Sequence, residues 1–205
     1  ARVAIVGHQL LARIQAVRHE LPDLRHVVVI GGESDAAAGV VSYVYWTAMQ
    51  PTELAAATTH REDPCCLNYS SGTTGEPKGI LHAHQDLPLT AQLWGVNVLG
   101  LREDDRTFAV AKLFFTFGTG GNLIFPWYVG ASAVVMAGPP RGAASGLDTL
   151  ERFRPTIFYN APTGYAALLA EPGFPQAYDL SSLRLCVSAG EALPAPIWPA
   201  RMALR

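Results

Sequence analysis

Short apolar runs of strand length, separated for the most part by helix-compatible stretches, constrain this chain more than any other feature. The runs fall at 3–6, 27–30, 65–69, 107–110, 133–136, 157–159 and 183–187. The clearest helix-compatible stretches between and after them are 9–19, 87–99, 164–170 and 195–204. Strands alternating with helices predict an α/β architecture in layers, with a largely parallel sheet flanked by helices. Because the strand runs are continuously apolar rather than alternating, the sheet is expected to be covered on both faces. Segment 40–59 mixes helical and polar signals and fixes no element.

Composition narrows the class further. With 205 residues, 49% of them hydrophobic, and a formal charge of −2, the chain can bury a core and has no basic excess suited to nucleic acid. No apolar run approaches the roughly 20 residues that span a bilayer, and the first residues lack the layout of a secretory signal. No membrane partner is therefore expected, and a cytoplasmic location is the default. Cys65, Cys66 and Cys186 have no metal-ligand spacing and sit in apolar runs, which predicts buried structural thiols and no metal site.

The stretch Tyr69-Ser70-Ser71-Gly72-Thr73-Thr74-Gly75-Glu76-Pro77-Lys78-Gly79 carries the strongest chemical signal. Glycines let backbone N–H groups turn toward an anion, Ser and Thr hydroxyls add donors, and Lys78 adds a mobile positive charge. The stretch follows an expected strand and precedes an expected helix, so a phosphate held there would also meet a helix's positive end. It is not the common nucleotide loop. That loop sets Gly directly before Lys and a Ser or Thr directly after it, whereas here Pro77 precedes Lys78 and Gly79 follows.

Three further stretches carry chemistry-bearing residues. Lys112-Leu113-Phe114-Phe115-Thr116-Phe117-Gly118-Thr119-Gly120-Gly121 sets aromatics beside a glycine-rich turn and reads by itself as the end of a core strand. Phe158-Tyr159-Asn160-Ala161-Pro162-Thr163 reads as a strand delivering residues to a turn, with Pro162 placed to start the next helix. Val187-Ser188-Ala189-Gly190-Glu191 is a strand running into a small-residue turn, where a flat ring can approach the backbone. His82 and His84, two residues apart, are two ligands at most, too few for a metal site.

The order Tyr-Ser-Ser-Gly-Thr-Thr-Gly-x-Pro-Lys-Gly resembles the signature of the adenylate-forming superfamily of acyl- and aryl-CoA synthetases, adenylation domains and luciferases. Lys-Leu-Phe-Phe-x-aromatic-Gly-x-Gly resembles the second motif of its benzoate-CoA ligase group. The resemblance implies phosphate contacts from Ser70, Ser71, Thr73, Thr74 and Lys78, with Gly72 and Gly75 supplying backbone freedom and Lys78 acting catalytically. It implies an acid pocket from Phe115, Thr116, Phe117 and Gly118, joined by Tyr159, Asn160 and Ala161. Ala189, Gly190 and Glu191 are then expected to receive adenine, although Glu191 reads equally as a first-turn acid. His84 is expected to orient groups near the loop, or merely to line the start of a helix.

The implied reaction is ATP-dependent joining of a small aromatic carboxylic acid, a benzoate or an amino- or hydroxybenzoate, to coenzyme A through an acyl-adenylate, with ATP and Mg2+. A carrier protein in place of coenzyme A, and a nucleotide-binding module without ligase activity, are the alternatives. Benzoate ligases often carry Ala-Tyr where this chain has Thr116-Phe117, so Thr116 is placed to hydrogen-bond a ring substituent. The chain opens on an apparent strand and closes inside an amphipathic pattern. Residues 1–205 are therefore expected to be part of a large N-terminal domain, whose start is absent along with the C-terminal domain. The Mg2+, ribose, hinge and C-terminal lysine sites are expected beyond Arg205, so the isolated stretch is expected to form neither adenylate nor thioester.

Overall fold

The computed structural model describes residues 1–70, 75–138, 142–174, 176–195 and 197, which form two compact units, 1–58 and 59–205. The first unit is a parallel sheet in the order β1-β2-β3, from β1 (Val3–Gly7), β2 (His26–Ile30) and β3 (Val40–Ser42). A 3-10 turn His8–Leu10, helix α1 (Leu11–Val17) and a second 3-10 turn Arg18–Glu20 join β1 to β2. The predicted helix at 9–19 is thus present with tightened ends. Val27, Val28 and Val29 on the central strand have no solvent exposure, as a β-branched run between two strands favours. Leu11 and Ile14 of α1 pack on Val27, Val29 and Val40. Segment 40–59, unresolved from sequence, contributes β3 and helix α2 (Tyr43–Ala48).

The second unit begins with an antiparallel hairpin, β4 (Pro64–Ser70) and β5 (Lys78–Ala83). Helix α3 (Asp86–Thr90) follows and widens into a π turn, Ala91–Val96. Four parallel strands then form a sheet in the order β7-β6-β8-β9: β6 (Arg106–Ala109), β7 (Ser132–Val134), β8 (Ile157–Asn160) and β9 (Leu185–Ser188). Between β6 and β7 runs one helical segment, α4 (Thr116–Thr119), a π turn Gly120–Ile124 and α5 (Phe125–Tyr128). Helix α6 (Ala143–Phe153) leads to β8, and α7 (Pro162–Leu169) leaves it. Pro162 opens α7 as its missing N–H and fixed φ predict. The layered, largely parallel α/β reading holds, with an antiparallel hairpin added.

Alternation along the strands divides the core between the two faces of the sheet. Phe108, Phe158 and Cys186 meet Leu147 and Leu150 of α6 and Tyr165 and Leu168 of α7. Phe108 and Phe158 stack at 5.5 Å, and Tyr165 meets Phe158 edge-on at 5.5 Å. On the other face Ala109, Ile157, Tyr159 and Val187 pack against Phe117 and Phe125 of the α4–α5 segment. Asn122 holds that segment down: its amide donates to the Val134 carbonyl at 2.8 Å and accepts from the Thr107 hydroxyl at 3.1 Å.

Some readings change. The stretch from Lys112, expected as a strand end, turns at once into α4, because the half-buried aromatics Phe117 and Phe125 recur with helical spacing despite three glycines. The π turn at 91–96 shortens the helix expected at 87–99. Of the helix expected at 195–204, all but Ala195 and Ile197 lies outside the described residues. Cys186 is buried as expected, but Cys65 and Cys66 are only half-buried, because the two-stranded hairpin is thinly covered.

At the amino-terminal edge of the four-stranded sheet, one carboxylate gathers three strand starts. Asp105 is 3% exposed and accepts from Arg184 Nε at 2.7 Å, Thr156 Oγ1 at 2.6 Å and the Arg102 N–H at 2.9 Å. Burial opposes its charge, but the Arg184 and Thr156 hydrogen bonds outweigh burial and hold its pKa below the ordinary value. Its contribution is therefore full above roughly pH 4 and is lost as pH falls through the depressed folded value. Asp105→Asn should cost about 3 kcal/mol in urea unfolding at pH 7, since Arg184 loses its counter-charge. The gap from wild type should narrow in acid; an equal gap at pH 7 and pH 3 would show that charge pairing is not the cause.

Candidate functional site

The hydroxyl-rich loop joins two antiparallel strands, not a strand to a helix. Ser70 closes β4 directly opposite Lys78, which opens β5, and Gly75 takes a φ of +91° that only glycine accepts without strain. The expectation of a helix end behind the loop is overturned. Lys78-Gly79-Ile80-Leu81-His82-Ala83 pairs with β4 in a continuous ladder from Ser70 to Cys66 and again at Pro64, and the next helix begins only at Asp86. Lys78 is exposed and makes no ion pair among the described residues, which leaves its ammonium available to an anion. Ser71, Gly72, Thr73 and Thr74 lie outside the described residues.

The same register corrects the place of His84. It follows the far end of β5, where its N–H donates to the Asp63 carbonyl at 3.1 Å, and Lys78 lies six residues back along the strand. At ~3.3 Å per residue that is roughly 20 Å from the loop, too far to orient groups held there.

Alternation sets Cys66, Asn68 and Ser70 on one face of the hairpin with His82, Ile80 and Lys78 opposite them. That face looks onto a cavity of about 340 Å³ lined by Cys66, Asn68, His82, Asp86, Thr116 and Thr119, with Leu123 and Phe125 among its apolar walls. Asp86 caps the turn after β5 by accepting from the Ala83 N–H at 2.9 Å, and its carboxylate stands 3.5 Å from His82 Nδ1. Of the predicted acid-pocket residues, Thr116 alone lines this cavity. Asn68, Asp86 and Thr119 were missed by sequence reasoning, and His82 was named but set aside. Thr116, Thr119, Gly120 and Leu123 share a helical face, a signal that was legible only had 116–128 been read as helix.

The other predicted pocket residues gather at the carboxyl edge of the four-stranded sheet. The chain leaves β6 for the α4–α5 face and leaves β8 for the α7 face, so the gap between these adjacent strands is a topological switch point, where open α/β sheets take ligands. Phe117 meets Tyr159 edge-on at 5.8 Å. The Tyr159 hydroxyl and the Ser188 hydroxyl are buried without hydrogen-bond partners among the described residues. Burial first, then nearby Asp105, raises the Tyr159 pKa far above its usual value, so the hydroxyl is neutral. Asn160 points to the opposite face, accepts from the Ala161 N–H at 2.9 Å and lines a separate cavity of about 220 Å³ with Val110, Met136 and Gly164. Phe114 and Phe115 are exposed, their rings 4.6 Å apart. Ala189 and Gly190 form the turn after β9, Gly190 with a φ of +96°, and Glu191 is exposed beyond them. The predicted residues thus occupy one sheet edge and one hairpin face rather than a single cavity.

Gly118 makes the turn into α4 possible. A Cβ there would lie 2.2 Å from the Lys112 carbonyl oxygen, while the Lys112 ammonium donates to the carbonyls of Met136, at 2.8 Å, and Gly138. Among the described residues no three His, Cys, Asp or Glu side chains converge on a metal position, so they supply no ligand set for the Mg2+ that the resemblance implies. No helix among them is long and apolar enough to cross a membrane.

A parallel sheet with helices on both faces, combined with a Ser/Thr/Gly hairpin loop, is the architecture of adenylate-forming enzymes. The chain belongs to the AMP-binding enzyme family, which it matches over residues 1–203. It is 46% identical to a benzoate–CoA ligase of Thauera aromatica, over 98% of this chain and 37% of that one. The solved anthranilate CoA ligase AuaEII, in complex with anthranoyl-AMP, superposes with a TM-score of 0.90 and 66% identity, over 98% of this chain and 38% of that one. A benzoate CoA ligase from Burkholderia xenovorans LB400 gives a TM-score of 0.81 and 34% identity, over 99% and 38%. The chain therefore spans little more than a third of the length of these relatives.

Gly118→Ala should destabilise by about 2–3 kcal/mol through the clash with backbone oxygens. Gly138→Ala, where nothing lies within 4 Å, should stay within about 0.5 kcal/mol. Urea melts of the two variants side by side check this, and equal losses would contradict the close approach at Gly118.

Proposed function

We propose that the protein carrying this chain is an ATP-dependent aryl-acid:CoA ligase, with an aminobenzoate as its preferred acid. The observation that carries this reading is the 66% identity, over 98% of the chain, to a ligase solved with anthranoyl-AMP. In the first step a carboxylate oxygen attacks the α-phosphorus of ATP, and pyrophosphate leaves. In the second the thiol sulfur of coenzyme A attacks the acyl carbon, AMP leaves and the thiol proton is released. Residues 1–205 serve as part of a larger N-terminal domain that grips phosphate and acid, in a cytoplasmic enzyme.

Two anions must meet in line in the first step, so its barrier is largely charge and alignment. Lys78 and the hydroxyls from Ser70 onward offset that repulsion and hold the leaving pyrophosphate. Phe117 and Tyr159 offer ring faces and edges against which an aromatic acid packs well. Thr116 opens α4 and faces the cavity shared with the hairpin, where it can pair with a polar substituent. Ala189 and Gly190 let the adenine approach the backbone.

With the full-length protein, pyrophosphate release should be greatest with 2-aminobenzoate, lower with benzoate and least with fatty acids; a fatty acid outperforming every aryl acid would end the aryl reading. Lys78→Ala should lower the adenylation rate by on the order of 10²-fold, the effect of removing one preorganised donor from a developing charge. An unchanged rate would refute phosphate gripping by this residue. Thr116→Val should reduce the preference for aminobenzoate over benzoate about tenfold, the worth of roughly 1.4 kcal/mol in one hydrogen bond. Identifying the thioester formed with coenzyme A or with a carrier protein separates the two acceptors.

A further inference from the structure

Cys65 and Cys66 stand next to one another on β4, where an ordinary strand would send them to opposite faces. Here the ladder slips. Pro64 pairs with Ala83 and Cys66 with His82, so Cys65 is the extra residue of a β-bulge. The bulge breaks the alternation, so the two neighbouring thiols are not sent to opposite faces as in a regular strand. Both are half-buried and so keep part of their surface open, and Cys66 lines the 340 Å³ cavity together with His82 and Asp86.

We propose that Cys65 and Cys66 form a vicinal dithiol site for a soft, thiophilic centre, and that a monosubstituted trivalent arsenical is the class of ligand it takes. Two sulfurs held side by side present two bonds to one soft atom. A direct disulfide is the poorer match: adjacent Cα atoms lie ~3.8 Å apart, whereas disulfides favour ~4.4–6.8 Å, and an atom placed between the sulfurs relieves that shortfall. Zinc is the poorer match as well, because it takes about four ligands and no third His, Cys, Asp or Glu converges here among the described residues.

The condensation balances without a redox step. An arsenoxide, R–As=O, exchanges its As–O bonds for two As–S bonds, and the oxygen leaves as water with both thiol protons. Burial first, and then the Cys65 thiol and the Asp86 carboxylate, push the Cys66 thiol above its usual pKa. Cys66 is therefore a protonated thiol at neutral pH, slow toward reagents that need a single thiolate. Cys186 is buried in the sheet core and serves as an internal comparison.

Phenylarsine oxide is the probe. Incubated with the full-length protein under reducing conditions and followed by peptide mass mapping, it should add one phenylarsenic bridge, with loss of water, to the tryptic peptide 62–78, which holds both thiols. A dithiol should strip the adduct while an equal thiol concentration of a monothiol leaves it. In Cys65→Ser and in Cys66→Ser the apparent affinity at this peptide should fall by on the order of 10²-fold, because the second sulfur acts at high effective concentration. Cys186→Ser should bind as wild type does. Equal affinity in wild type and Cys65→Ser, or removal by monothiol and dithiol alike, would overturn the proposal. The reversal test needs only wild-type protein, so it decides the matter even if a serine variant fails to fold.

Discussion

A single buried carboxylate sets the frame on which the rest of this structure depends. Parallel strands have no hairpins to fix their register, so their relative positions must be set by packing and by contacts at their ends. Asp105 sets them here by binding Arg102 before β6, Thr156 before β8 and Arg184 before β9. Arg184 extends the tie by donating to the Gly100 carbonyl at 2.9 Å. With the amino ends fixed by these bonds, the carboxyl ends are free to carry loops whose composition is not dictated by pairing. That division explains why the aromatic, amide and small-residue turns all lie at one edge of the sheet.

Much of this frame was legible in the sequence because it rests on continuous apolar runs, and every such run became a strand. What escaped notice did so for local reasons. Lys78 to Ala83 is half polar and contains Gly79, so β5 is held by its partner β4 rather than by its own propensity. The segment 116–128 contains Gly118, Gly120 and Gly121, which argue against a helix one residue at a time. It is helical because Phe117, Phe125 and the buried Asn122 have places waiting on the sheet.

The candidate site was named from residue type, and its geometry came only with the fold. Ser70, Lys78, Thr116, Tyr159 and Asn160 were identified from motif order, which carries chemistry but not direction. Whether Tyr159 and Asn160 face one cavity or two follows from strand alternation, and the sheet places them on opposite faces. His82 was set aside in favour of His84, because spacing alone does not say which end of β5 meets the helix. Register decides it: His82 sits across from Cys66 and beside Asp86, and His84 lies past the end of the ladder.

The glycines of this region have a shared role beyond turning the chain. A Cβ on Gly121 would lie 3.0 Å from the Tyr159 ring, and one on Gly164 would lie 2.1 Å from the Asn160 amide oxygen. In each case a helix residue gives up its side chain so that a strand residue can keep a large or polar one at the sheet's carboxyl edge. The two partners are then coupled: enlarging the glycine displaces the ring or the amide, and shrinking the strand residue leaves a void facing the glycine. The shape of the sheet's carboxyl edge is therefore written in pairs, Gly121 with Tyr159 on one face and Gly164 with Asn160 on the other. Reshaping this edge requires both members of a pair to change together.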